Sequence, residues 1–534
     1  MKIRSLSALV ASGLFLVTAA LALSGCGKFV LYKVPEFGYA GRPIPPSQML
    51  ERVLAAFTSN GSSGGLEMVD GLRDLRGNVQ NTVKTFPISG YSEAQPISIM
   101  NFPEQTEGLV LSYNDGNLTA INYSKESQTG VLAKFGSNSP SAAAAPTGTM
   151  YAGAAPQSGL LVLTVGGATF DLNLPNVAQV SIDPGDSVVL ATVQNSDALY
   201  RVVKLPSTPN PILPPGYVDC EPLLLPVYCV VPVPGSVITP PAAGTPVTFD
   251  HPVSVSYSLD GTTAYVLNSG PENGGTAASV SFLQMSALNI NNVPTADTST
   301  APPLVHANVP IPGGATAGLS DGTTLYVSGQ QLQTTGAYKG LFAGNLTLVN
   351  LSTYIAGAPV SISDGAHTKM LFADDNTLWI GSSQCSNGVR AATATAELAA
   401  NGITDQAGNY NCLTMVTLGS STPTAQIVPA VVQSNTQSSI VPVPYPNTNQ
   451  NQFYYGSLTG LCWVQNYHKV FTAYGGQIHA FYTGAVPGTT PPPILGDQDA
   501  NGGPPGSEIN NIDITIQGTV YDVAYMDAET NSAN

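Results

Sequence analysis

The chain has 534 residues, with 17 lysines and arginines against 33 aspartates and glutamates, for a formal net charge of −16. So acidic a surface argues against nucleic acid and anionic lipid as partners. Only 9% of residues are charged while 43% are hydrophobic, and 54 glycines and 43 prolines take the place of helix formers, so an all-β body surfaced by Ser, Thr, Asn, Gln and Gly is expected.

Residues 1–25 read as a secretory signal peptide. Lys2 and Arg4 give a basic start, Leu6 to Leu23 an apolar stretch, and Leu23-Ser24-Gly25 a small-residue cleavage site. Cys26 follows directly. The Leu-Ser-Gly-Cys run resembles the lipobox of bacterial lipoproteins, in which the cysteine thiol is acylated and becomes the first residue of the mature chain. That resemblance implies export and a lipid on Cys26 as the link to a membrane. With Gly27 next instead of an acidic residue, it implies the outer membrane. Two or three acyl chains hold a protein durably where one does not. No second unbroken apolar run of 18 residues follows, so the rest of the chain is expected to be soluble.

Residues 26–48 form a Pro/Gly-containing tether. From 49 to 534 short strand-like runs alternate with tight turns. In 251–270, Val253, Val255 and Tyr257 alternate with serines, Asp260-Gly261 makes a turn, and Ala264-Tyr265-Val266-Leu267 runs back. The unit recurs in 108–124, 150–175, 177–206, 315–352, 367–420 and 458–484, so seven copies lie between 91 and 485. One copy cannot bury both its faces. The copies must therefore stack or close into a ring, and closure also protects strand edges. Strand-like runs at 50–86 and 514–527 allow N- and C-terminal strands to share a blade.

Two copies carry a recognisable core. Ser258-Leu259-Asp260-Gly261-Thr262-Thr263-Ala264-Tyr265-Val266-Leu267-Asn268 resembles the S-P-D-G-x-x-x-Y-V-x-N core of the YVTN-type β-propeller repeat. Ser320-Asp321-Gly322-Thr323-Thr324-Leu325-Tyr326-Val327 resembles it in part. The resemblance implies a single β-propeller, with seven blades expected and six or eight as alternatives. Insertions at 205–249, which holds 12 prolines, and at 386–411, 421–455 and 486–508 are expected to form loops on the flat faces, where binding function tends to reside.

Six cysteines suit an oxidising compartment. With Cys26 assigned to lipid, Cys220 pairs most simply with Cys229 and Cys385 with Cys412, although spacing alone leaves connectivity open. Cys462 is left over and reads as a buried strand thiol.

Catalytic signatures are absent: there is no G-x-S-x-G, no H-E-x-x-H and no phosphate-binding glycine loop. His251 and His367 occupy the same place in their units, just ahead of the innermost strand, near the expected mouth of a central channel. Such a pair suits a metal or a ligand, or simply caps two strands. Near the C-terminus, Asp497, Asp499 and Asn501, the carbonyl of Gly503 and the carboxylate of Glu508 fit the EF-hand calcium-loop pattern around Gly502, so Ca2+ is the one cofactor suggested. Pro504 and Pro505 depart from that pattern. The expected function is a membrane-anchored, extracytoplasmic binding or scaffold module for a protein or glycan partner of the envelope or its surroundings. The alternative is a propeller enzyme of lactonase or dehydrogenase type with its site in the central channel. No catalytic residue is assigned, and the oligomeric state is open.

Overall fold

Apolar residues at every second position, broken by tight turns, build antiparallel sheets of four or five strands. The computed structural model describes most of residues 45–527. Residues 1–44, 72–85, 402–406, 429–457, 484–504, 507–513 and 528–534 lie outside the description, with shorter gaps at 48, 50–51, 60–62, 102–105, 209–210, 222–224, 239–245, 296–300, 375, 420–421, 466–467, 475–476 and 516–517.

Eight sheets are arranged as the blades of one propeller. Blade 1 is mixed in origin. From the outside in, Phe86–Pro87, Gly64–Asp70 and Arg52–Thr58 precede the other blades in sequence, and Thr519–Tyr525 adds the innermost strand. The innermost strands of blades 2 to 8 are Pro96–Asn101, Ala142–Ala144, Val177–Ile182, Pro252–Tyr257, Ala317–Ser320, Ala366–Ala373 and Leu458–Val464. The expectation of seven blades is therefore corrected to eight. All seven sequence copies became separate blades, 2 to 8. Of the C-terminal run, Ile514–Thr515 joins blade 8 as its outermost strand, while Thr519–Tyr525 and the N-terminal strands form a full four-stranded sheet of their own.

Alternation places successive side chains in different blade boundaries. Leu54 and Ala56 pack toward blade 2 with Ile99, Val110 and Ile121, while Val53 and Ala55 pack toward blade 8 with Val464, Phe471 and Ile478. Trp379 joins the boundary between blades 7 and 8, and its neighbours Leu378 and Ile380 the boundary between 6 and 7. Among the described residues, each of the eight blade boundaries has its own buried apolar cluster, including the one between blades 8 and 1.

Side chains lock the turns that the sequence signalled. In blade 5, Asp260 Oδ1 accepts from Ser258 Oγ (2.6 Å), Thr262 N (3.0 Å) and Thr262 Oγ1 (2.8 Å), while Gly261 takes a left-handed φ of 67° that a side chain would disfavour. Blade 6 repeats the arrangement at Asp321, which accepts from Thr323 N, Thr323 Oγ1 and Thr324 N, each at 2.8 Å.

The 205–249 insertion is more than a loop. Tyr228–Pro232 is the fourth strand of blade 4 and Asp219–Glu221 a fifth, with Cys220 directly opposite Cys229 in the register and disulfide-bonded to it. The second disulfide, Cys385–Cys412, ties the short helical turn after the second strand of blade 7 to the start of the third. Between them runs the helix Val389–Asn401. Cys462 is free and buried, and burial pushes its thiol pKa up. Cys26 and the proposed calcium ligands Asp497, Asp499, Asn501, Gly503 and Glu508 lie outside the described residues. Among the described residues no helix is long and apolar enough to cross a membrane.

Candidate functional site

The innermost strands enclose a central cavity of about 870 Å³. Its described lining mixes small apolar side chains, as in Ala142, Ala143, Ala144, Val180 and Val255, with larger ones such as Met100, Tyr257 and Trp463, and its charged members are Lys369 and Asp522. These two face each other, Lys369 Nζ lying 3.1 Å from Asp522 Oδ2. Asp522 also accepts from the backbone N–H of Ile99 at 2.9 Å. Burial raises the Asp522 pKa, with Lys369 and that N–H pulling the other way. The two charged groups of the described lining thus pair with each other.

More chemistry gathers at the face where the innermost strands begin. In an antiparallel blade that end also carries the turn between the second and third strands, and these turns bring the site together. A cavity of about 470 Å³ opens there among blades 5, 6 and 7. Glu272, on the turn Gly270–Asn273 of blade 5, reaches across to blade 6. Its Oε2 accepts from Gln330 N (2.9 Å) and its Oε1 from Gln330 Nε2 (3.0 Å). Gln330 Oε1 in turn accepts from the N–H of Gly365 in blade 7 (2.9 Å). Burial pushes the Glu272 carboxyl up to about 7, against the pull of the Gln330 bonds. Asn273, Phe342, His367, Gln384 and Asn387 complete the polar and aromatic lining, and no lysine or arginine is among the described residues of the wall.

His367 is buried in that wall. Its Nε2–H donates to the carbonyl of Ser363 at 2.9 Å, its Nδ1 has no hydrogen-bond partner, and burial brings its pKa down to about 4. The ring is therefore neutral at physiological pH, and its Nδ1 is an unpaired acceptor buried within the wall.

His251, the other histidine expected at the channel mouth, belongs to a separate cluster between blades 4 and 5. Its Nδ1 lies 3.0 Å from Asp197 Oδ1 and 3.3 Å from Asp250 Oδ1. Asp197 stands on the turn between the second and third strands of blade 4, while Asp250 and His251 lead into the innermost strand of blade 5. His251 itself has a left-handed φ of 55°. The structure thus gives the two histidines different neighbours instead of uniting them. The loop 269–278 connects their surroundings, because Glu272 lines the cavity while Thr276 and Ala277 donate to Asp250.

With the geometry in view, known proteins add little. No family model and no curated protein matches this chain. Solved structures do. The dihydro-heme d1 dehydrogenase NirN is similar at TM-score 0.47 and 11% identity, over 92% of this chain and 80% of that one. The periplasmic gluconolactonase PpgL of Pseudomonas aeruginosa is similar at 0.43 and 12%, over 89% and 98%. A putative 6-phosphogluconolactonase of Bacteroides fragilis is similar at 0.40 and 10%, over 89% and 97%. At such values the side chains of this protein must carry any functional argument.

Sequence reasoning singled out His251 and His367 but not Asp197, Glu272, Gln330 or Gln384. Asp250 was adjacent to His251 and could have been paired with it. The others have no motif, because each reaches the site from a different blade.

Proposed function

We propose that this chain is an exported, lipid-anchored binding propeller that holds a neutral, hydroxyl-rich ligand, such as the end of a glycan, in the cavity where blades 5, 6 and 7 meet. The observation that carries the reading is the wall itself. It combines a carboxyl (Glu272), four carboxamides (Asn273, Gln330, Gln384 and Asn387), a buried imidazole and the Phe342 ring, without a described cationic side chain. Amides and carboxylates pair with hydroxyls as donors and acceptors, and an aromatic ring packs against the C–H face of a sugar. The volume of about 470 Å³ is within the range of small-ligand sites. An anionic ligand would meet Glu272 with no described counter-charge in the wall.

The test is a glycan array probed with the full chain in detergent, followed by titration of each hit against Gln384→Ala and Glu272→Gln. Binding to neutral saccharides, weakened about tenfold or more in either variant, is expected from the loss of well-placed hydrogen bonds. Hits that bind both variants as tightly as the parent would place the ligand elsewhere.

Anchorage is supported by the run Leu23-Ser24-Gly25-Cys26, and an oxidising compartment by the two disulfides. Cells fed labelled palmitate should label this protein. Cys26→Ser should lose the label and leave the membrane pellet, whereas a label that survives the substitution would remove Cys26 as the anchor.

One observation favours a second reading, lactone hydrolysis in the same cavity. A Glu272 carboxyl held near 7 is suited to acid–base chemistry. Turnover of sugar lactones, abolished by Glu272→Gln, would establish it. The acid formed would carry the same charge as Glu272, which is why binding of a neutral ligand is preferred.

A further inference from the structure

We propose that Asp197, Asp250 and His251 form a site for a divalent transition-metal ion of the zinc or manganese kind at the boundary of blades 4 and 5. Their three donor atoms, one nitrogen and two oxygens, lie within 4.8 Å of one another. The two nitrogen–oxygen edges measure 3.0 and 3.3 Å. Ligands about 2.1 Å from an ion are about 3.0 Å apart at octahedral angles and about 3.4 Å apart at tetrahedral ones. Two of the three edges are thus already at coordination spacing, and the third is within 4.8 Å.

Charge points the same way. Two carboxylates face one imidazole, so the cluster is net negative whether or not His251 is protonated. A cation bound there would resolve the repulsion.

The ligands are also held from outside. Asp250 Oδ2 accepts from the backbone N–H of Thr276 (2.8 Å) and of Ala277 (2.7 Å), and the Thr276 N–H is shared with Oδ1 (3.0 Å), the oxygen that also faces His251. Oriented outer partners of this kind are what ligating carboxylates require. Gly275 is needed for that orientation, because a Cβ there would overlap Asp250 Oδ1.

An imidazole in the set favours zinc, manganese or iron over calcium and magnesium, which prefer all-oxygen shells. Three protein donors leave positions open for water or a ligand. The ion would also pin the loop that carries Glu272, although the proposal does not depend on what the neighbouring cavity holds.

The experiment is calorimetry on the full chain in detergent, stripped with chelator and titrated separately with Zn2+, Mn2+ and Ca2+. Asp197→Asn and His251→Gln are measured alongside, each first shown by its circular dichroism melt to fold without metal. The expected result is one equivalent of Zn2+ or Mn2+ bound by the parent, with a raised melting temperature, and affinity lowered about tenfold or more in whichever variants fold. Calcium heat that persists in both variants would belong to residues 497–508 and leaves this expectation intact. No heat with Zn2+ or Mn2+ in the parent, or unchanged affinity in the folded variants, would overturn the proposal.

Discussion

Burial lifts the Glu272 carboxyl from an ordinary value near 4.5 to about 7, although both its oxygens accept hydrogen bonds from Gln330. Between those values the folded chain keeps a proton that the unfolded chain has released. The contribution to stability is therefore complete below about pH 4.5 and is lost as pH rises through 7. Allowing for partial exposure, it amounts to on the order of 2 kcal/mol. Urea unfolding at pH 5 and pH 8 checks this. The parent should lose on the order of 2 kcal/mol more than Glu272→Gln between the two, and equal losses would show that the carboxyl is not held in this way. Residues of this kind were the least legible in the sequence. His251 and His367 were marked by their equivalent places ahead of two innermost strands. Glu272 and Asp197 had no such mark, because their neighbours come from another blade or from the linker that enters it.

At the scale of elements, the first strand of blade 1 is fixed at one end by a buried ion cluster. Arg52 Nε and Nη2 donate to Asp527 at 2.8 and 2.6 Å, and Nη1 to Glu126 at 2.8 Å and to the carbonyl of Tyr123 at 2.7 Å. One side chain thus joins blade 1, the segment after the last strand and blade 2. Arg52→Met would leave two buried carboxylates without their cation, which costs about 3–5 kcal/mol. The midpoint of chemical denaturation should fall accordingly. Adding Glu126→Gln and Asp527→Asn to Arg52→Met should recover part of the loss, since the charges left stranded are then removed. A full-strength Arg52→Met protein would contradict the assignment. Elements with a local signal were readable in advance, such as the Asp260-Gly261 and Asp321-Gly322 hairpins. The two outer strands of blade 4 were not, because the prolines at 222, 226 and 232 read as loop punctuation, whereas Pro232 is accommodated at the last position of Tyr228–Pro232.

For the molecule as a whole, the repeats announced a ring, and their composition announced its all-β character. The number of blades was harder to read, since it turns on whether the strands at either end of the chain complete one of the seven copies or make another sheet. Apart from Ile514–Thr515, which joins blade 8, they make another, and the apolar clusters on its two sides are as buried as those elsewhere: Val53 and Val520 on one side, Leu54 and Met68 on the other. A designed disulfide tests closure of the ring by this eighth sheet most directly. Leu54 and Ala524 are direct partners between Arg52–Thr58 and Thr519–Tyr525, and both pack on the side of the sheet away from Cys462. In the protein carrying Leu54→Cys and Ala524→Cys, oxidation during export should give an intramolecular bond between 54 and 524, seen by mass spectrometry of the unreduced digest, with a melting temperature several degrees higher. Two free thiols, or links only between separate chains, would mean that the ring is not closed by these strands.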